Sequence, residues 1–93
     1  MLDKMISYAS HAIGLGTRKP YTRHGRKFYR PYRNYFATNP DDPTWIEMER
    51  LGYAEHGAVR DRGDYQATSF WLTRAGLDWL GEQLGMTIYG GED

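Results

Sequence analysis

Between Thr17 and Phe36 the chain reads TRKPYTRHGRKFYRPYRNYF, with seven cations, six aromatic rings and no acid. Arg18, Lys19, Arg23, Arg26, Lys27, Arg30 and Arg33 supply the charge; Tyr21, Phe28, Tyr29, Tyr32, Tyr35 and Phe36 supply the rings. Cations neutralise phosphates, and exposed rings stack on bases, so this composition suits a nucleic-acid surface. An acidic protein partner would ask for much the same. Arg23, Arg26, Lys27 and Arg30 are the leading phosphate contacts, with Arg18, Lys19 and Arg33 beside them. Tyr21 and Tyr29 are the candidate stacking rings.

Other chemistry is scarce. His11, His24 and His56 stand apart, with no HxxxH, HxH or HExxH spacing, so no metal site is expected. The absence of cysteine removes disulfides and thiolate zinc sites and suits a reducing compartment. Gly14-Leu15-Gly16-Thr17 lacks the spacing and the lysine of a phosphate-binding loop. No serine sits in a nucleophile elbow. The expectation is a non-enzyme without cofactor.

The charge is segregated. Residues 1–46 hold eight basic residues against three acids, a net of +5, and residues 47–93 hold four against nine, a net of −5. Three arrangements fit: pairing between the halves, a positive face for a polyanion, or head-to-tail association into a homodimer. No apolar run reaches the roughly 20 residues of a membrane helix, and the first residues lack a signal-peptide pattern. A soluble intracellular protein is expected.

The elements that must position these groups can be read coarsely, as one domain over 1–85 and a tail over 86–93. Leu2, Met5, Ile6, Ala9 and Ile13 recur at helical spacing, and Gly14 and Gly16 end that helix. Residues 15–25 read as loop or irregular extended chain, and a helix is expected to resume near Pro31, with Tyr32, Tyr35 and Phe36 in the core. Asp42 caps a further helix whose first position is Pro43 and whose stripe is Trp45, Met48 and Leu51. Tyr53–Arg60 and Tyr65–Leu72 form a hairpin with Arg62-Gly63-Asp64 at its tip. Thr73 caps a last helix with Leu77, Leu80 and Leu84 inward, and Gly85 ends it. Trp79 lies off that stripe, either against the first helix or exposed to a partner.

Three helices, a two-stranded hairpin and a terminal helix make an α+β chain. Leu51-Gly52-Tyr53-Ala54, the hairpin, and then Phe70-Trp71-Leu72-Thr73-Arg74-Ala75-Gly76 resemble the wing of winged helix-turn-helix regulators of the MarR and PadR type. The resemblance covers about residues 43–84. Small phage and prophage proteins of unassigned function look similar too, which would make this a phage-type accessory protein, placed in the host cytoplasm or in a virion. The resemblance implies a recognition helix at 43–51 and a wing-tip contact by Arg62. That helix offers Thr44, Glu47, Glu49 and Arg50 outside its core stripe, two carboxylates against one arginine, a poor surface for phosphate-lined grooves. Two readings remain open: nucleic-acid binding through the basic arm, or a protein-binding adaptor or inhibitor on a winged scaffold that has lost DNA readout.

Overall fold

The computed structural model describes residues 1–90 and shows a mixed α+β fold with two sheets. The first helix, α1 (Leu2–Ala12), buries Met5, Ala9 and Ala12 along one face, while Leu2 stays exposed. Helical spacing places that face on the core, and the two alanines permit close approach by its neighbours. Gly14 then turns the chain at φ +76, where an added Cβ would lie 2.6 Å from the Tyr32 ring.

The next segment departs from expectation. Residues 21–29 form a regular hairpin, β1 (Tyr21–Arg23) and β2 (Arg26–Tyr29), which begins within the segment 15–25 expected to be loop or irregular extended chain. Its two-residue turn, His24-Gly25, has both residues at positive φ (53 and 75). That is the backbone a tight hairpin favours, because its twist matches the strands. No helix resumes at Pro31. The polar groups of this stretch find partners elsewhere instead. Asn34 pairs with the backbone of Leu72 in both directions, its Nδ2 donating to the carbonyl and its Oδ1 accepting from the amide, each at 2.9 Å. β3 (Phe36–Thr38) then pairs antiparallel with β6 (Gln66–Leu72), Phe36 opposite Phe70. The spacing of Tyr32, Tyr35 and Phe36 mimics a helix, but the chain is extended. Tyr32 and Tyr35 are therefore exposed, and only Phe36 packs, against Tyr8 and Trp45.

α2 (Pro43–Arg50) starts as expected, with the Asp42 carboxylate accepting from the amides of Thr44 and Trp45. Trp45 and Met48 are fully buried; Thr44 is buried too, and Leu51 is exposed, against expectation. β4 (Ala54–His56) and the short β5 (Arg60–Asp61) both pair with β6, so the first hairpin strand is interrupted at 57–59. β6 alternates, burying Thr68, Phe70 and Leu72 and leaving Trp71 half-buried on the other face beside Gly57. Thr73 Oγ1 caps α3 (Arg74–Leu84) by accepting from Gly76 N, and Gly85 ends it in the left-handed region. Leu77 and Leu80 are buried, with Leu84 packed at the margin. Trp79 stacks on Tyr53 at 4.9 Å and packs, partly buried, against the core.

The chain after Gly85 does not leave the fold. β7 (Thr87–Ile88) pairs parallel with β2, Ile88 is buried, and Arg74 donates to its carbonyl. The remainder of the expected tail, 91–93, lies outside the described residues. Among those described, no helix is long and apolar enough to cross a membrane.

Candidate nucleic-acid interface

Strand alternation divides the basic hairpin between two faces. On the inner face Tyr29 and Ile88 enter the core. On the outer face lie Tyr21 and Arg23 from β1, Arg26 and Phe28 from β2, Arg30 just beyond, and Tyr89 after β7. Tyr21 opposes Phe28 in register, their rings 5.7 Å apart and 25° from parallel. Phe28 lies 6.0 Å from Tyr89, only 11° from parallel. The Arg30 guanidinium sits over the Tyr89 ring at 4.6 Å. Three aligned rings and their flanking arginines thus occupy one sheet face, and Tyr21 remains 46% exposed.

At the open end of this face Arg23 stands directly opposite Arg26. Like charges in that position destabilise a hairpin by several tenths of a kcal/mol. An anion held between the two guanidiniums would remove the repulsion and satisfy both planar forks.

The second half of the basic-aromatic stretch works differently, closing the C-terminus of α1. A helix end leaves carbonyls without intrahelical partners. Here Arg33 Nη2 donates to the His11 carbonyl at 2.8 Å, Tyr35 N to Ala12 O at 3.1 Å, and Tyr29 OH to Ile13 O at 2.8 Å. Burial, reinforced by nearby Tyr32 and opposed by Arg18 and Arg33, pushes the Tyr29 hydroxyl above its ordinary 10.0. Tyr29 is therefore an anchor; its ring is 1% exposed and cannot stack on a base. Arg33, half-buried and spread over Tyr32, is committed to the same anchor.

The remaining site residues are scattered. Arg18 and Lys19 are exposed on the turn after α1. Lys27 alternates to the inner side, where the hairpin end and α3 enclose an open cleft of about 800 Å³ with Asp78 and Glu82 on its far wall. Arg62 sits on the other hairpin. There it lines, with Arg60, a groove of about 340 Å³ against Ala37, Thr68 and Ser69. The structure does not gather Arg62 with the hairpin arginines: the two lie on different sheets.

Among the described residues, contact ion pairs do not join the two charged halves. Among the described residues the pairs are Glu47–Arg50 at 2.7 Å, Glu49–His56 at 2.8 Å and Asp78–Arg74 at 2.8 Å, all within residues 47–90. The Arg50 hydrogen bond holds the Glu47 carboxyl below its usual range. On the polar face of α2, Arg50 thereby neutralises Glu47, and Glu49 is hydrogen-bonded to His56. Arg18, Lys19, Arg23, Arg26 and Lys27 enter no ion pair among the described residues. The described residues hold no cluster of three His, Asp or Glu side chains able to bind a metal.

Sequence reasoning missed two contributors, Tyr89 and Asn34. The alternation of Thr87-Ile88-Tyr89 after Gly85 was a strand signal, but too short to stand alone. Asn34 gave no local signal, since its partner is 38 residues away. No protein-family model, no curated protein and no solved structure matches this chain.

Proposed function

We propose that this chain is a small non-enzymatic protein that binds nucleic acid through its basic-aromatic arm, residues 18–33. The opposition of Arg23 and Arg26 beside the Tyr21–Phe28–Tyr89 rings carries this reading. Such a pair weakens the free hairpin and strengthens a phosphate-bound one. Arg23, Arg26 and Arg30 hold the backbone, Arg18, Lys19 and Lys27 add long-range attraction, and Tyr29 and Arg33 fix the arm to α1. The winged-helix reading rests on α2, the β4–β6 hairpin and α3. In it Arg62 is an accessory contact and α2 does not read bases. A gel-shift titration of the wild type against an Arg23→Glu/Arg26→Glu double variant tests the proposal. Wild-type binding at low salt that the reversal abolishes is expected. Equal binding by both proteins, or none by the wild type, would overturn it.

A second reading, a protein-binding adaptor or inhibitor, draws on α2. Its carboxylates are internally paired, and Ile46 and Leu51 are 46% and 40% exposed. Exposed aliphatic side chains beside carboxylates suit a protein surface better than a phosphate-lined groove. Affinity capture from nuclease-treated lysate tests this reading. It requires a stoichiometric protein partner that an Ile46→Asp variant loses.

A further inference from the structure

We infer that the outer face of the β1-β2-β7 sheet takes single-stranded rather than duplex nucleic acid, seating a base on Tyr21 at the exposed end of the Tyr21–Phe28–Tyr89 ladder. This rests on the nucleic-acid reading above and adds to it the form of the ligand. The ring ladder is the first reason. It crosses all three strands in steps of 5.7 and 6.0 Å, with interplanar angles of 25° and 11°. A sheet face of aligned rings offers π-surface to bases, and in a duplex the base faces are already stacked on one another. The second reason is what the face lacks. Groove readout needs hydrogen-bonding side chains aimed at base edges, such as asparagine, glutamine or arginine at the centre of the contact. Here the centre is Phe28, which can make no such bond, and the arginines stand at the margins.

The margins supply the third reason. Arg23 and Arg26 face each other on the rung beside Tyr21 and Phe28, toward the hairpin turn, and Arg30 lies over Tyr89. A single strand laid along the rings has cations beside it, where its phosphates pass. Tyr21, on the outer strand and 46% exposed, is the ring most open to a base. Phe28 is half-buried between its two neighbours and aligns them.

The experiment is fluorescence anisotropy with the full chain. Its probes are single-stranded DNA and RNA of about 12 nucleotides, within the range of single-strand sites, and the matching DNA duplex. Tyr21→Ala and Tyr21→Phe are compared with wild type after circular dichroism has verified their folding. Single strands are expected to bind more tightly than duplex. Tyr21→Ala should weaken single-strand binding about 5- to 100-fold, as loss of one stacked base does, and Tyr21→Phe should restore it. Ultraviolet crosslinking to a thymidine- or uridine-containing strand should map to Tyr21, Phe28 or Tyr89. Equal affinity for duplex and single strand, with Tyr21→Ala unaffected, would overturn this inference while leaving nucleic-acid binding intact. Absence of binding to every probe at low salt would overturn both.

Discussion

Replacing Tyr29 by Phe separates the anchoring half of the basic-aromatic stretch from the binding half. The ring is 1% exposed and its hydroxyl donates to Ile13 O at 2.8 Å, so the substitution removes one buried hydrogen bond and little else. Leaving the Ile13 carbonyl without that donor costs about 1–3 kcal/mol. In a domain of this size each kcal/mol lowers Tm by roughly 4–8 °C, so a fall of about 4–24 °C is expected. The pH dependence carries a second signature. Burial raises the Tyr29 pKa in the fold above its ordinary 10.0, so the folded state holds the proton more tightly than the unfolded state. Stability from this group is complete below the unfolded value and is lost as pH rises through the folded one. The gap in Tm between wild type and Tyr29→Phe should therefore be full at neutral pH and narrow above pH 10. Thermal unfolding followed by circular dichroism across that range measures both effects. Nucleic-acid affinity should not change. A variant that keeps the wild-type Tm but loses binding would refute the division, because the hydroxyl would then be facing the ligand.

Other substitutions test neighbouring parts of the account. Arg23→Glu turns a like-charge pair opposite Arg26 into an attractive one, so Tm should rise slightly, by up to about 1 kcal/mol of stability, while affinity for nucleic acid falls. A loss of stability together with retained binding would contradict the role given to that pair. Asn34→Ala removes both hydrogen bonds to Leu72 and should cost about 1–3 kcal/mol in urea unfolding; a neutral result would mean that β6 does not depend on this side chain. Gly76→Ala places a Cβ 2.0 Å from the Tyr53 carbonyl oxygen. Overpacking of about 1–3 kcal/mol should outweigh the helix-propensity gain of about 1 kcal/mol, giving a net loss in thermal unfolding.

The parts of the fold written in local signals were legible. Asp42 before Pro43, Thr73 before α3 and Gly85 after it act within a few residues, and each is where the sequence puts it. The alternation of Phe70, Trp71 and Leu72 likewise placed their faces. The stretch from 31 to 36 was misread because its aromatic spacing imitates a helix, while its partners are distant. Asn34 is held by Leu72, and Tyr35 by the end of α1. The hairpin at 21–29 was hidden because its outer face alternates aromatic and cationic groups instead of apolar and polar ones. Of the three rings expected in the core, only Phe36 packs there. Tyr29 and Arg33 anchor the stretch, and Tyr32 and Tyr35 face solvent. Tyr89 could join the ring ladder only through a parallel pairing between β2 and β7, which no local pattern announces.

The central claim is that the hairpin arginines hold phosphates. Its most direct test is the salt dependence of binding to a single-stranded oligonucleotide, taken as the slope of log K against log salt. Each phosphate contact contributes about −0.7 for single strands, so engagement of Arg23, Arg26 and Arg30 gives a slope near −2, and Arg26→Glu should make it shallower by about one contact. A flat slope, or one that Arg26→Glu leaves unchanged, would contradict the claim.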